Sequence, residues 1–174
     1  MTYPADQDTA TMGRSSPPAG GSLVEVHLLG LPVMVMRASR EHHDGLMREF
    51  RILALAGRVE DADLPARLLE LVQILGQRYD TRGRRRHADL EAAAAAGLEV
   101  LDEVEVVPVD ASEAMVRLSE LMDEADSYCR QALLMTLPRP ALVRRFGQWY
   151  LTQFVDQLAG RPAVRWDGPL RVQA

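Results

Sequence analysis

The sequence contains no lysine and no asparagine, and all 20 of its basic residues are arginine. Without lysine the chain cannot form a Walker A phosphate-binding loop, a Schiff base or the lysine-dependent site of a kinase. Without asparagine it has neither an N-glycosylation acceptor nor a Cys-His-Asn catalytic set. These absences exclude several classes of enzyme whatever the fold.

Cysteine and long apolar runs are scarce as well. The single cysteine, Cys129, cannot form a disulfide within the chain, which favours a reducing compartment. No apolar run approaches the roughly 18–20 residues of a membrane span, and we expect no secretory signal in the polar N-terminal stretch. A net charge of −5 gives no electrostatic reason to bind nucleic acid or anionic lipid. We therefore expect a cytoplasmic protein without a membrane or nucleic-acid partner.

The composition, 47% hydrophobic and 26% charged, is typical of a globular domain. Residues 1–21 are rich in Pro, Gly, Ser and Thr and predict a disordered tail. Residues 22–160 carry the periodic apolar pattern of a helical domain, and residues 161–174 predict an extended C-terminal tail docked by Trp166.

The apolar spacing predicts a mainly α fold, a bundle of about five helices with a small two-stranded β-ribbon. The strands are expected at Leu23–Leu29 and Leu101–Val109, and the helices run from Val33 to about Ala54, from Asp61 or Asp63 to Tyr79, from Ala88 to Ala96, from Asp110 to Ala132 and from Pro140 to Leu158. Asp80–Arg86 is expected to be a basic loop, Gly97 a helix stop, and Asp110 with Glu113 a capping box.

One polar group on the first helix draws particular interest. His43 lies on the predicted core stripe with Arg40 nearby, and a buried histidine or arginine needs a partner, for which Glu124 or Asp126 is plausible. A satisfied polar pair inside the bundle is the commoner outcome, and a ligand pocket or a pH-sensitive switch is the alternative. The neighbouring His42 points about 100° away on a helix and no HExxH motif is present, so we expect no metal and no other cofactor.

The last helix is apolar around most of its circumference. Trp149 and Tyr150 therefore predict either a central helix or a surface that meets a partner, and a homodimer stays open. The acidic run that includes Glu124 and Asp126 is expected on the solvent side of its helix, and Cys129 is expected to be an inert core residue. The favoured interpretation of the Arg82–Arg86 cluster is a solvated loop, and the next is a surface that contacts an acidic protein.

Four segments carry a resemblance to a known group. GLPVMVMRASREHHDGLMREFRILAL, LPARLLELVQILGQRY, MDEADSYCR and RRFGQWYLTQFVDQLAG, within Leu23–Gly160, resemble small helical actinobacterial proteins encoded beside serine-kinase-like anti-sigma regulators and STAS-type antagonists. The resemblance implies a place in partner-switching control of a sigma factor, with an anti-sigma kinase-like or sigma-related regulator as partner. It does not imply kinase activity, because kinases of that type use an asparagine and a DxGxG segment that this sequence lacks.

Three hypotheses about function follow. The first is a non-enzymatic regulatory module that binds a protein partner through the last helix or the acidic one. The alternative is a small-molecule- or metal-binding bundle with a polar site around His43. A third, an enzyme, would be favoured by a pocket that holds His43 and a carboxylate of perturbed pKa.

Overall fold

The fold is given by a computed structural model that describes residues 22–55 and 81–172. The elements follow in the order β1 (Leu23–Pro32), α1 (Val33–Leu55), α2 (Thr81–Ala95), β2 (Val100–Pro108), α3 (Ser112–Arg130) and α4 (Ala141–Leu158). The predicted mainly helical class is confirmed. The described ranges contain four helices, not the five or so predicted, and the helix expected to end at Tyr79 lies outside them.

The predicted ribbon is also confirmed. β1 and β2 pair antiparallel, with Val26 opposite Glu105 and Leu28 opposite Glu103. β1 runs further than predicted, through Gly30 to Pro32, and its register shifts between Leu28 and Leu31. Gly30 adopts φ +72° and donates its N–H to Asp102 Oδ1 at 2.6 Å. The glycine that was expected to end the strand therefore forms a bulge-like irregularity inside it.

The ribbon packs on the helices mainly through β1, and the inward side chains of β1 join the principal core. Phe154 of α4 and Leu121 of α3 are among the largest fully buried side chains of this core. A smaller cluster of Val33, Leu90 and Ala93 joins α2 to the start of α1. Burial of these side chains supplies most of the driving force for folding.

Helix α2 corrects one prediction. Its bounds show that the segment expected to be a basic loop up to Arg86 is helical from Thr81 onward. Arginine has a high helix propensity, and a helix needs an apolar side chain only where it meets the rest of the molecule, as Leu90 does. Arg37 of α1 and Glu91 add an ion pair at 3.1 Å, and Gly97, at φ +74°, follows the helix as expected.

The ends of α3 differ from the prediction. Its N-cap residue is Ala111 without a side-chain hydrogen bond, so the predicted capping box of Asp110 and Glu113 is wrong. The helix stops at Arg130, before the prolines, and Ala132 takes a positive φ of 57°. The connection between α3 and α4 donates hydrogen bonds to the carboxylate of Glu49 in α1. Pro140 then occupies the N-cap position of α4.

The segment after α4 covers the aromatic side of that helix. Trp166 is buried and its ring centroid lies 5.6 Å from that of Phe146 and 5.4 Å from that of Trp149. Its backbone N–H also donates to the carbonyl oxygen of Leu29 in β1. The division into a tail of residues 1–21, a domain of residues 22–160 and a tail of residues 161–174 stays a prediction. No described helix combines the length and the apolar character that a membrane crossing requires.

Candidate ligand-binding site

A cavity of about 210 Å³ opens between the four described helices and β2. Its apolar lining comes from Met36, Leu90, Leu118, Met122, Phe146, Gly147 and Leu151. Its polar lining comes from Ser39, Arg40, His43, Arg86, Glu103, Arg139 and Tyr150. The combination of an apolar wall with a few convergent polar groups is typical of small-molecule sites.

Strand β2 supplies acidic groups to the helix side of the ribbon. Glu103 and Glu105 are partly buried there, whereas Val104 and Val106 are 54% and 47% exposed on the opposite face. This polarity is the reverse of an ordinary amphipathic strand, which turns its valines inward. A strand that turns its carboxylates inward needs partners for them, and the helices provide these partners for Glu105.

Glu105 is held by two groups of the cavity wall. Tyr150 donates its hydroxyl to Glu105 Oε1 at 2.8 Å, and Arg86 forms an ion pair with the same oxygen. The Glu105 side chain is 14% exposed, whereas that of Arg86 is 43% exposed. Glu105 therefore joins Tyr150 of α4 to Arg86 of α2 through one carboxylate oxygen.

Glu103 lines the cavity and has an ionised form that burial disfavours. Burial raises the pKa of its carboxyl, Arg86 opposes that change, and Asp89 adds to it. Among the side chains that the structure describes, none forms a hydrogen bond or ion pair with it.

Arg139 is placed in the cavity wall by two aspartates of α3. Its backbone N–H and its Nε each donate to Asp126 at 2.9 Å, and its Nη2 donates to Asp123 at 2.8 Å. Asp126 is 1% exposed, so its predicted position on the solvent side of the helix is wrong. A buried carboxylate is tolerated here because a guanidinium and a backbone N–H satisfy it.

The two adjacent histidines of α1 lie in different surroundings. His43 lines the cavity, whereas His42 faces the α3–α4 connection. Burial lowers the pKa of His42, and the charge of Asp126 opposes this change. His42 therefore lies close enough to Asp126 to feel its charge.

The structure brings together some of the predicted site residues and not others. Arg40, His43 and Tyr150 line one cavity. Asp126 bonds Arg139 but does not itself line the cavity. Glu124 is half-buried on α3 and is not a lining residue either. Trp149 packs against Trp166 instead.

Sequence reasoning missed Arg86, Glu103 and Arg139 as members of the site. Arg86 was assigned to a loop, and Glu103 alternates with valines in a strand whose inner face the pattern could not choose. The alternation could not have identified Glu103, because an ordinary half-buried strand turns its valines inward and its carboxylates outward.

Two further features of the described parts of the chain concern thiol and metal chemistry. Cys129 is buried, and burial together with Asp126 and Glu49 raises the pKa of its thiol to about 11, which disfavours the reactive thiolate. No group of three or more metal-ligating side chains is found within residues 22–55 and 81–172.

Comparison with known proteins adds no relative. No family model, no curated protein and no solved structure matches this chain. The resemblance to sigma-factor regulators stays a prediction, and the case for function depends on the cavity.

Proposed function

We propose that this protein is a non-enzymatic binding module that holds a small organic molecule in the cavity between α1, α3, α4 and β2. The observation that carries the proposal is that polar residues of three separate elements, Arg40 and His43 of α1, Glu103 of β2 and Tyr150 of α4, line one space that also has an apolar wall. A cavity that combines an apolar wall with a few polar groups is typical of small-molecule sites. This is the hypothesis that the sequence analysis held as its alternative.

Methionine methyl groups provide a direct test. Met36 and Met122 line the cavity, whereas Met135 is 93% exposed on the α3–α4 connection and serves as an internal control. With ¹³C-methyl methionine labelling, a panel of one-ring organic compounds should include members that shift the first two methyl signals saturably and leave the third unchanged. A panel that shifts none of the three, or shifts all of them in proportion to concentration, would contradict the proposal.

A substitution can separate binding in the cavity from binding elsewhere. Gly147 lies in α4 and lines the cavity, and a methyl group added there would come within 3.4 Å of Arg139 Nη1. Gly147→Ala favours the helix and narrows the cavity, so the fold should persist while affinity falls. Gly45→Ala is the matched control, because its methyl group would meet only Thr136 at an ordinary contact distance.

One feature of the site favours an enzyme. The cavity holds His43 together with Glu103, whose pKa is raised, and carboxyls of perturbed pKa are common in active sites. Burial is the main cause of the change, and burial accompanies plain binding sites as well. Conversion of a bound compound during the methyl titration would replace the binding proposal by an enzymatic one.

A second candidate is a regulatory contact with a protein partner, such as an anti-sigma kinase-like or sigma-related regulator. The supporting observation is that Leu133, Met135 and Leu137, in the connection between the acidic α3 and α4, are 53%, 93% and 79% exposed. Exposed apolar side chains on a well-held connection are typical of contact surfaces. A stoichiometric partner recovered by the natural chain and lost with Met135→Ser would support it, and recovery of the same proteins by both would not.

A further inference from the structure

The polar lining of the cavity offers many hydrogen-bond donors and few acceptors. Arg40, Arg86 and Arg139 all contribute guanidinium groups, each with five N–H donors and no acceptor. Among the described lining residues, Glu103 is the one carboxyl. The carboxylates that pair with these arginines, Asp44, Glu105, Asp123 and Asp126, are not among the lining residues.

Arg139 shows most clearly that donors remain for a ligand. Its backbone N–H, Nε and Nη2 are used by Asp126 and Asp123, and its Nη1 takes part in none of these bonds. Nη1 lies beside Gly147, where a Cβ would come within 3.4 Å of it, and both residues line the cavity. The side chain is 5% exposed, so its position is set by the aspartates.

The apolar part of the wall limits the size of the molecule. An engineered cavity of about 150 Å³ in another protein binds benzene. The present cavity, of about 210 Å³, therefore has room for one six-membered ring and a small substituent. Phe146 and Leu118 provide flat and branched apolar surface for such a ring.

We propose that the ligand is a single-ring organic carboxylate whose anionic group accepts hydrogen bonds from the arginines while its ring lies against Phe146 and Leu118. This inference rests on the proposed binding function. An anion is favoured over a cation because Arg139 Nη1 is a charged donor that its bonds to Asp123 and Asp126 do not use. It is favoured over a neutral ring because buried N–H donors left without an acceptor weaken binding.

The test uses three probes of nearly equal size and different charge. Benzoate, benzylamine and benzyl alcohol are titrated into the full chain at pH 7, with calorimetry and the Met36 and Met122 methyl signals as readouts. Benzoate should bind at least about tenfold more tightly than either other probe. Saturable binding of benzylamine or benzyl alcohol at equal or higher affinity overturns the ligand class but leaves the binding function, whereas no saturable binding by any probe overturns both.

Three variants locate the charge that matters. Arg86→Gln should weaken benzoate binding about tenfold or more, because it removes a guanidinium from the wall. Arg165→Gln is the matched control, since Arg165 also pairs with a β2 carboxylate, Asp102, and is similarly exposed (56% against 43% for Arg86) but lies outside the cavity. Glu103→Gln should raise benzoate affinity, because it removes the negative charge nearest to the anion. Equal losses in Arg86→Gln and Arg165→Gln, or a loss in Glu103→Gln, would overturn the assignment.

Discussion

Replacing Asp126 by alanine removes the acceptor of two hydrogen bonds that position Arg139 at the cavity wall. Both bonds are 2.9 Å long, one from the backbone N–H of Arg139 and one from its Nε. The carboxylate is 1% exposed and the arginine side chain 5% exposed. Water therefore cannot easily replace the lost acceptor.

The size of the effect follows from this burial. Removing one member of a buried ion pair costs about 3–5 kcal/mol, because the other charge stays buried. Arg139 keeps its 2.8 Å bond to Asp123, which is 47% exposed, and this contact offsets part of the loss. We therefore expect Asp126→Ala to lower the free energy of unfolding by about 3 kcal/mol, equivalent to a fall in Tm of roughly 6–12 °C for a domain of this size.

Urea denaturation followed by tryptophan fluorescence measures this change. Trp166 belongs to the main core cluster and Trp149 packs against it, so both report its loss. Glu99→Gln is the matched control, because Glu99 and its partner Arg171 are 57% and 72% exposed and such a pair contributes at most about 1 kcal/mol. Asp126→Asn keeps an acceptor oxygen and should fall between the two.

A loss below about 1 kcal/mol in Asp126→Ala would refute the reasoning, because it would mean that water or Asp123 satisfies Arg139 without Asp126. A double substitution with Arg139→Met tests the cause of the loss. If the stranded guanidinium causes the loss, the double variant should recover much of the stability of the natural chain.

Three further predictions concern other parts of the molecule. The Cys129 thiol should react with a disulfide reagent at pH 8 far more slowly in the native chain than in denaturant, and equal rates would contradict its burial. Because burial raises the pKa of Glu103, the folded state is favoured when this carboxyl is protonated, and that contribution is lost as pH rises through the folded value. Glu103→Gln should therefore be more stable than the natural chain at neutral pH, and this advantage should vanish below the ordinary carboxyl pKa of 4.5. A difference in unfolding free energy that stays constant between these pH values would argue against a raised pKa at Glu103. Gly168→Ala should destabilise by about 1–3 kcal/mol, because its methyl group would lie 2.2 Å from the buried ring of Trp166, whereas Gly45→Ala in α1 should be neutral or stabilising in the same melts.

The candidate site shows which parts of a binding site sequence reasoning can reach. Arg40 and His43 were singled out because polar residues on a predicted core stripe demand a partner, and both line the cavity. Tyr150 was singled out for a different reason, excess apolar surface on α4, and its hydroxyl contact with Glu105 was not foreseen. Arg139 was missed because it lies in a connection without periodicity, and its position depends on Asp126, which is 13 residues away.

The amino-acid sequence by itself determined the mainly helical class, the ribbon and the helix stop at Gly97. Periodicity and backbone preferences act over a few residues and are therefore visible along the chain. The tertiary structure alone decided that β2 turns Glu103 and Glu105 inward. Apolar residues lie on both faces of that strand, so local pattern cannot choose between them, and the choice follows from Arg86 and Tyr150 meeting Glu105 across the fold.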